Sequence, residues 1–255
     1  RDGVDQHEAS SYAIAVAPEL RRLLALPGGD LPLEVDAALR PEGKSGPLSR
    51  SLDSHAAYYA KWSHVWEAQA LLRADAVVGD PELRQRFVEL IDPLRYPEAG
   101  LSADDVVEVR RIKARVDQER LPRGADPASH LKLGRGGLAD IEWTVQLLQM
   151  QHAASVPGLR TSRTLEALAA AEQARLLSKP DAETLARGWR TVSRVRNAVA
   201  LVRGKGSDTL PHDIRERAAA ANVLGYPAGA TDEMSNDLLR TMRVSHAVVD
   251  RVFWA

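Results

Sequence analysis

The chain has 255 residues, 44% of them apolar and 27% charged, with a formal net charge of −1 at pH 7. This is the composition of a soluble globular chain, one large domain or two small ones, and it argues against a general nucleic-acid surface, which needs a basic excess. There is no cysteine, so disulfides and thiolate metal sites are excluded, a reducing cytoplasmic setting is expected, and no stretch approaches the roughly 20 apolar residues of a membrane helix.

The chain starts at Arg1 without Met and reads as a piece of a longer protein. Residues 8–26 predict a helix with Tyr12, Val16, Leu20 and Leu23 or Leu24 on one side, ended by Pro27-Gly28-Gly29. Residues 31–39 alternate as a strand does, and Asp36 is an acid set among apolar neighbours. An acid there needs a partner or a cation, unless the strand lies at an exposed edge. The turn Arg40-Pro41-Glu42-Gly43-Lys44-Ser45-Gly46-Pro47 follows. Its glycines would let backbone amides approach phosphate, with Arg40 and Lys44 as counter-charges. It lacks the Walker spacing, and an ordinary polar loop is the alternative.

Beyond this turn the pattern is helical. Asp53 is a candidate cap for 54–62 and Ser63 for 64–75, while Asp80-Pro81-Glu82 marks a further start. Tyr96-Pro97-Glu98-Ala99-Gly100 interrupts two helices, so the expected domains are 1–100 and 101–255. Ser102 with Asp105 resembles a capping box, opening a helix with Val106, Val109, Ile112 and Val116 inward. Arg110, Arg111, Lys113 and Arg115 scatter around that helix, with Glu108, Asp117 and Glu119 to pair them, so most should be solvated. After a break at residues 121–124, Gly136-Gly137 opens a helix with Leu138, Ile141, Val145 and Leu148 on one side. With Lys132 and Arg135 adjacent, its start could hold an anion. Asp140 and Glu142 sit just inside, and Glu142, Gln146 and Gln149 form a polar stripe. A Gly turn before a solvated face is the alternative. Asp181 should cap a long helix with Leu185, Trp189, Val192, Val199 and Val202 inward. Two more helices are expected, at about 211–224 and 232–253, the last with Met234, Leu238, Met242, Ser245 and Val249 inward. No histidine metal spacing and no nucleophile elbow stands out.

Three stretches taken together, LEVDAALRPEGKSGPL at 33–48, WEAQALLRADAVVGDPEL at 66–83 and KLGRGGLADIEWTVQLLQ at 132–149, resemble one half of the bacterial glutamine-synthetase adenylyltransferase/adenylyl-tyrosine phosphorylase family. The resemblance runs over essentially the whole chain and is closer to the half that adds AMP. It implies a mainly α fold: a helical bundle following a truncated remnant, one helix plus one strand, of a nucleotidyltransferase α/β domain. It implies transfer of AMP from ATP to a tyrosine of glutamine synthetase, with Mg²⁺. Asp36 matches the family's third carboxylate, a metal ligand placed to accept the tyrosine proton. The resemblance places Arg40, Lys44 and Ser45 at the strand end or on phosphate. Lys132, Gly136, Gly137, Asp140 and Glu142 would line or brace the cleft, and Glu67 would be structural. The family's Gly-Ser turn and D-x-D pair do not precede residue 31, so the chain alone is expected to be inactive. Glutamine synthetase is the expected partner, and a PII-type signalling protein a further one. Two alternatives remain: a non-catalytic helical module that binds these partners, and another nucleotidyltransferase such as the PII uridylyltransferase. The 132–149 segment resembles the adenylyltransferase more closely.

Overall fold

The computed structural model of the chain describes residues 5–25 and 35–255. Among them there are ten α-helices and no strand. The chain divides into two compact units, one ending at Asp92 and one running from Pro93 to Ala255.

The first unit holds α1 (Gln6–Leu24), α2 (Leu52–Trp62), α3 (Val65–Leu71) and most of α4 (Pro81–Arg95). The stripe expected to face inward on α1 is exposed: Tyr12 by 73%, Leu20 by 55% and Leu23 by 51%. The side of α1 that borders α2 and α4 carries Ala9, Ser10 and Ala13 instead, around a hollow of about 630 Å³. Caps fall near the expected places but on other residues. Ser51 caps α2, its side chain accepting from Ser54 N–H, where Asp53 was expected. His64 precedes α3, not Ser63, and its N–H donates to Glu67 Oε2 at 3.1 Å. Helix α3 stops at Leu71, short of the expected 75.

The strand predicted at 31–39 is not found among the described residues. Residues 31–34 lie outside the described residues, as does the Pro27-Gly28-Gly29 helix end, and residues 35–40 are irregular. A strand must pair its backbone groups with a neighbour, and no other strand occurs among the described residues to pair with it. Here local partners replace the ladder. Ala38 N–H donates to Asp36 Oδ1 at 2.8 Å, and the Ala37 carbonyl accepts from Arg40.

The second unit holds α5 (Ala103–Glu119), α6 (Leu138–His152), α7 (Thr164–Gln173), α8 (Lys179–Arg203), α9 (Ile214–Val223) and α10 (Thr231–Val252). The break between units lies inside α4, ahead of the expected residue 100, because the 96–100 turn is packed into the second unit. Tyr96 is buried, with the Arg160 guanidinium over its ring. A Cβ at Gly100 would lie 2.7 Å from the Gln151 carbonyl oxygen. The capping box predicted at α5 forms: Ser102 Oγ accepts from Asp105 N–H, and Asp105 accepts from Ser102 N–H. Such a cap is worth about 1 kcal/mol. Ser178, not Asp181, caps α8. Asp213 caps α9. Helix α7 escapes a periodicity reading because its apolar positions are largely alanines and no side chain caps it.

The core joins Leu131, Leu138, Val192, Val195, Val199, Leu238 and Met242, with Trp189 and Val202 half-buried against it. Helix α8 is the hub, packing on α6, α7, α9 and α10. Its expected stripe holds, with Leu185, Val192 and Val199 buried. A Cβ at Gly188 would run into Ser245 Oγ and lie 3.1 Å from Ile141 Cδ1, so glycine lets α8 approach α10 and α6. Helix α6 is buried on nearly every side, as a central helix must be. No helix among the described residues is long and apolar enough to cross a membrane.

Candidate functional site

In the first unit, the turn at 40–47 is held by Arg40 from within. Its guanidinium donates to the carbonyls of Ala37, of Lys44 at 3.2 Å and of Gly46 at 2.8 Å. Glu42 and Gly43 take left-handed backbone angles, φ 63° and 56°. Gly46 is buried so closely against the Pro41 carbonyl that no Cβ would fit. Arg40 therefore acts on the turn's own backbone, while Lys44 and Ser45 are exposed on it. Asp36 is also exposed, and it accepts from Ala38 N–H. Among the described residues no group of three His, Cys, Asp or Glu side chains is placed to hold a metal.

Behind this turn runs a chain of polar contacts. Arg50 pairs with Glu42 and lies over the Tyr58 ring. The Tyr58 hydroxyl donates to Glu67 Oε1 at 2.8 Å. Burial, then the bond to Glu67, raises the Tyr58 pKa. Glu67 is buried, and it also caps α3, which is the structural part expected of it. A hollow of about 200 Å³ beside it is lined by Arg40, Trp66, Glu67 and Arg73.

In the second unit, the glycines of 134–137 serve close packing. A Cβ at Gly136 (φ 70°) would overlap the Met242 carbonyl oxygen and stand 2.9 Å from His246 N on α10. A Cβ at Gly137 would lie 2.7 Å from the Leu131 carbonyl oxygen. The backbone donors that might have received an anion are engaged internally. Gly136 N–H donates to Asp140 Oδ2, Gly137 to Gly134, Leu138 to Leu131 and Ala139 to Lys132. Lys132 itself is exposed.

Asp140 does not meet the neighbouring Lys132. Its Oδ1 accepts from Lys113 Nζ at 2.6 Å, and Lys113 also donates to Asp117 at 2.6 and 2.7 Å. Lys113 is only 1% exposed. It is the exception in a basic run expected to be mostly solvated. The spacing Lys113–Asp117 at i, i+4 was visible, but nothing local marks this pair as the buried one. His246 Nδ1 stands 3.4 Å from Asp140 Oδ2, within ion-pair range but without hydrogen-bond geometry, and Nε2 stands 3.6 Å from Asp250. Burial pushes the Asp140 carboxyl upward, but His246, Lys113 and the Gly136 N–H outweigh it and hold it below its ordinary value. Asp140 in turn raises the His246 pKa. Asp117 is raised by burial in spite of Lys113. Asp117, Arg135, Asp140, His246 and Trp254 open onto a cleft of about 410 Å³. Glu142 is half-buried outside this cluster, 3.5 Å from Trp189 Nε1. Gln149, placed by sequence on a polar stripe, is buried and donates to the Leu159 and Thr161 carbonyls at 2.7 Å.

Two family models match the chain: glutamate-ammonia ligase adenylyltransferase over residues 1–90, and GlnD PII-uridylyltransferase over residues 110–253. The 132–149 segment falls inside the second range, so it does not by itself separate these families; identity over the whole chain does. Proteins described as bifunctional glutamine synthetase adenylyltransferase/adenylyl-removing enzyme match throughout. The one from Streptomyces avermitilis is 59% identical over 100% of this chain and 25% of its own length. Those from Mycolicibacterium smegmatis and Mycobacterium tuberculosis are each 53% identical over 98% of this chain and 25% of theirs. The chain thus spans about a quarter of the length of the curated relatives it matches. With a match over more than half of its length, the chain belongs to the family that the GlnD PII-uridylyltransferase model describes, and over its whole length it is similar to a segment of bifunctional glutamine synthetase adenylyltransferase/adenylyl-removing enzymes.

Proposed function

We propose that the chain is part of a cytoplasmic enzyme that transfers AMP from ATP to a tyrosine hydroxyl of glutamine synthetase, and that it belongs to the C-terminal, adding half. The observation that carries this is the 59% identity with an enzyme so described, unbroken from end to end of the chain. In that reaction the phenol oxygen attacks the α-phosphorus and pyrophosphate leaves. Bound Mg²⁺ would neutralise charge on the phosphates. The described residues do not by themselves fit a Mg²⁺ site: Asp36 is a lone exposed carboxylate, and no three-ligand cluster surrounds it.

Within this chain the roles divide as follows. Asp36 supplies one carboxylate, to accept the tyrosine proton. Arg40 fixes the turn that follows it, leaving Lys44 and Ser45 to meet phosphate. Lys132 offers a second exposed cation. Gly136, Gly137 and Asp140 brace the helical unit, with Glu142 beside them. Without further carboxylates the chain alone should transfer no AMP, since losing such charge stabilisation raises a barrier by several kcal/mol. Incorporation of labelled AMP into glutamine synthetase tests this. We expect none from the chain and full activity from the intact parent. Turnover by the chain near that of the parent would overturn the assignment. In the parent, Asp36→Asn should abolish transfer, and an unchanged rate at saturating Mg²⁺ would remove Asp36 from the site.

The lone carboxylate also supports a second reading, a non-catalytic helical module that binds glutamine synthetase or a PII-type protein. Saturable binding of either protein to the chain, with activity of the parent unaffected by Asp36→Asn, would favour it.

A further inference from the structure

We propose that the groove between α7 and α8 is a docking site for an acidic amphipathic helix of a partner protein, read by Arg187, Arg190 and Arg194. The groove encloses about 570 Å³ and continues, past Thr191 and Arg194, into a hollow of about 280 Å³ beside Tyr226. Its lining includes Leu165, Leu168, Ala169, Ala182 and Ala186, small or apolar side chains that leave room for another helix to lie close.

The three arginines follow one another at i, i+3 and i+7, so they form a single row on α8. All three are exposed, and none meets a carboxylate within ion-pair distance among the described residues. Some other exposed arginines in this unit find acids close by in sequence, as Arg111–Glu108, Arg115–Glu119 and Arg163–Glu166 show. In the row, the neighbours at i+3 and i+4 are like charges, which is an unfavourable arrangement for an isolated helix. The chain as a whole carries a net charge of −1, so this basic row is a local feature. A row of like charges that borders a groove lined in part by apolar side chains is the kind of departure that a binding function accounts for.

Charge complementarity and shape select the occupant. The row extends about 10 Å along the helix, so the guanidinium groups do not converge on one point as a compact phosphate would need. Glu172 and Glu183 border the same groove. An occupant of unbroken negative charge, such as a nucleic acid, would meet these acids, whereas a helix can set its own acids at the arginines and other residues opposite the glutamates. A helix with acids at the matching i, i+3 and i+7 positions, and apolar residues on the adjoining stripe, satisfies both features. None of this depends on adenylyl transfer.

The test titrates a fluorescein-labelled helical peptide of about 18 residues into the 255-residue chain. The peptide carries three glutamates at those positions beside a leucine stripe. We expect saturable anisotropy at low salt, weakened at about 0.3 M salt. We expect a loss of about tenfold or more in the R187Q/R190Q/R194Q variant, whose thermal midpoint should be unchanged or raised. A lowered midpoint would mean the arginines are structural and would overturn the proposal. So would absence of saturation in the wild-type chain, equal affinity of the variant, or tighter competition by inorganic tripolyphosphate. As a second arm, R190E should lose the glutamate peptide and recover binding to one with lysine at the central position. Failure of that exchange would also overturn it.

Discussion

The turn at residues 40–47 and the turn at residues 130–140 carry the same residue types: glycines flanked by Arg and Lys, with acids close by. In the first, a half-buried Arg40 gathers the carbonyls of its own turn and leaves Lys44 and Ser45 in water. In the second, the glycines bring backbone against backbone, and the acid Asp140 is buried on Lys113, a residue from another helix. The difference is one of surroundings. Near the surface, water competes for every charge, so such a turn contributes modestly and remains free to meet a ligand. In the interior, unpaired charge is costly, so each group must be matched.

The widest separation between the two turns should come from Lys113→Met. It leaves Asp140 and Asp117 buried without their shared cation, and breaking such a pair costs about 3–5 kcal/mol. Urea unfolding of the variant measures this, and a change under about 1 kcal/mol would mean the cluster is wetter than its geometry shows.

Glycine replacement sharpens the same contrast. Gly136→Ala forces a Cβ into the α10 backbone at a positive φ and should cost about 2–4 kcal/mol. Gly43→Ala also sits at positive φ, but its nearest neighbour would be 3.8 Å away, so only the backbone term of about 1 kcal/mol remains. Equal losses at the two positions would break the comparison.

A pH series gives a smaller effect with a definite sign. His246 is raised above its ordinary 6.5 by Asp140. Its contribution is whole below that unfolded-state value and is lost as pH climbs through the folded value. His55 and His130, lowered by burial, destabilise only as pH falls below 6.5, so the range above it isolates His246. Asp140, held low, contributes fully above 3.8 and loses its share only as pH falls beneath it. Asp250 and Arg135 also face the imidazole. The urea midpoint of the chain should fall between pH of about 6.5 and about 8.5. In His246→Gln it should stay level across that range. The smallest change is expected from Glu142→Gln. Glu142 lies outside the buried cluster, so about 1 kcal/mol or less should be lost. A loss of about 3 kcal/mol or more would place it among the buried pairs after all.

Much of the helical pattern was legible because it is written in neighbouring residues. The Ser102–Asp105 box, the α8 stripe of Leu185, Val192 and Val199, and the inward Met234, Leu238 and Met242 of α10 depend on a period of 3.6 and on local capping. The same local reasoning named Ser102 correctly but missed Ser51, His64 and Ser178, which lie one to three positions from the residues expected. It also passed over α7, whose alanines give little periodic contrast.

What only the tertiary structure decided is which groups lose water. Lys113 reads as one more cation on a basic helix, and Asp140 as one more acid in a first turn. They are 27 positions apart, and their meeting at 2.6 Å depends on how α5 and α6 pack. Gly136 reads as an anion cradle or a plain turn until Met242 of α10 is found against it. The reading of α8 passed over the row of Arg187, Arg190 and Arg194, and that this row borders a groove depends on α7 lying beside it. The described part of the strand predicted at 31–39, residues 35–39, is irregular for the converse reason: alternation is a local property, but a strand needs a neighbour to accept and donate its backbone hydrogen bonds.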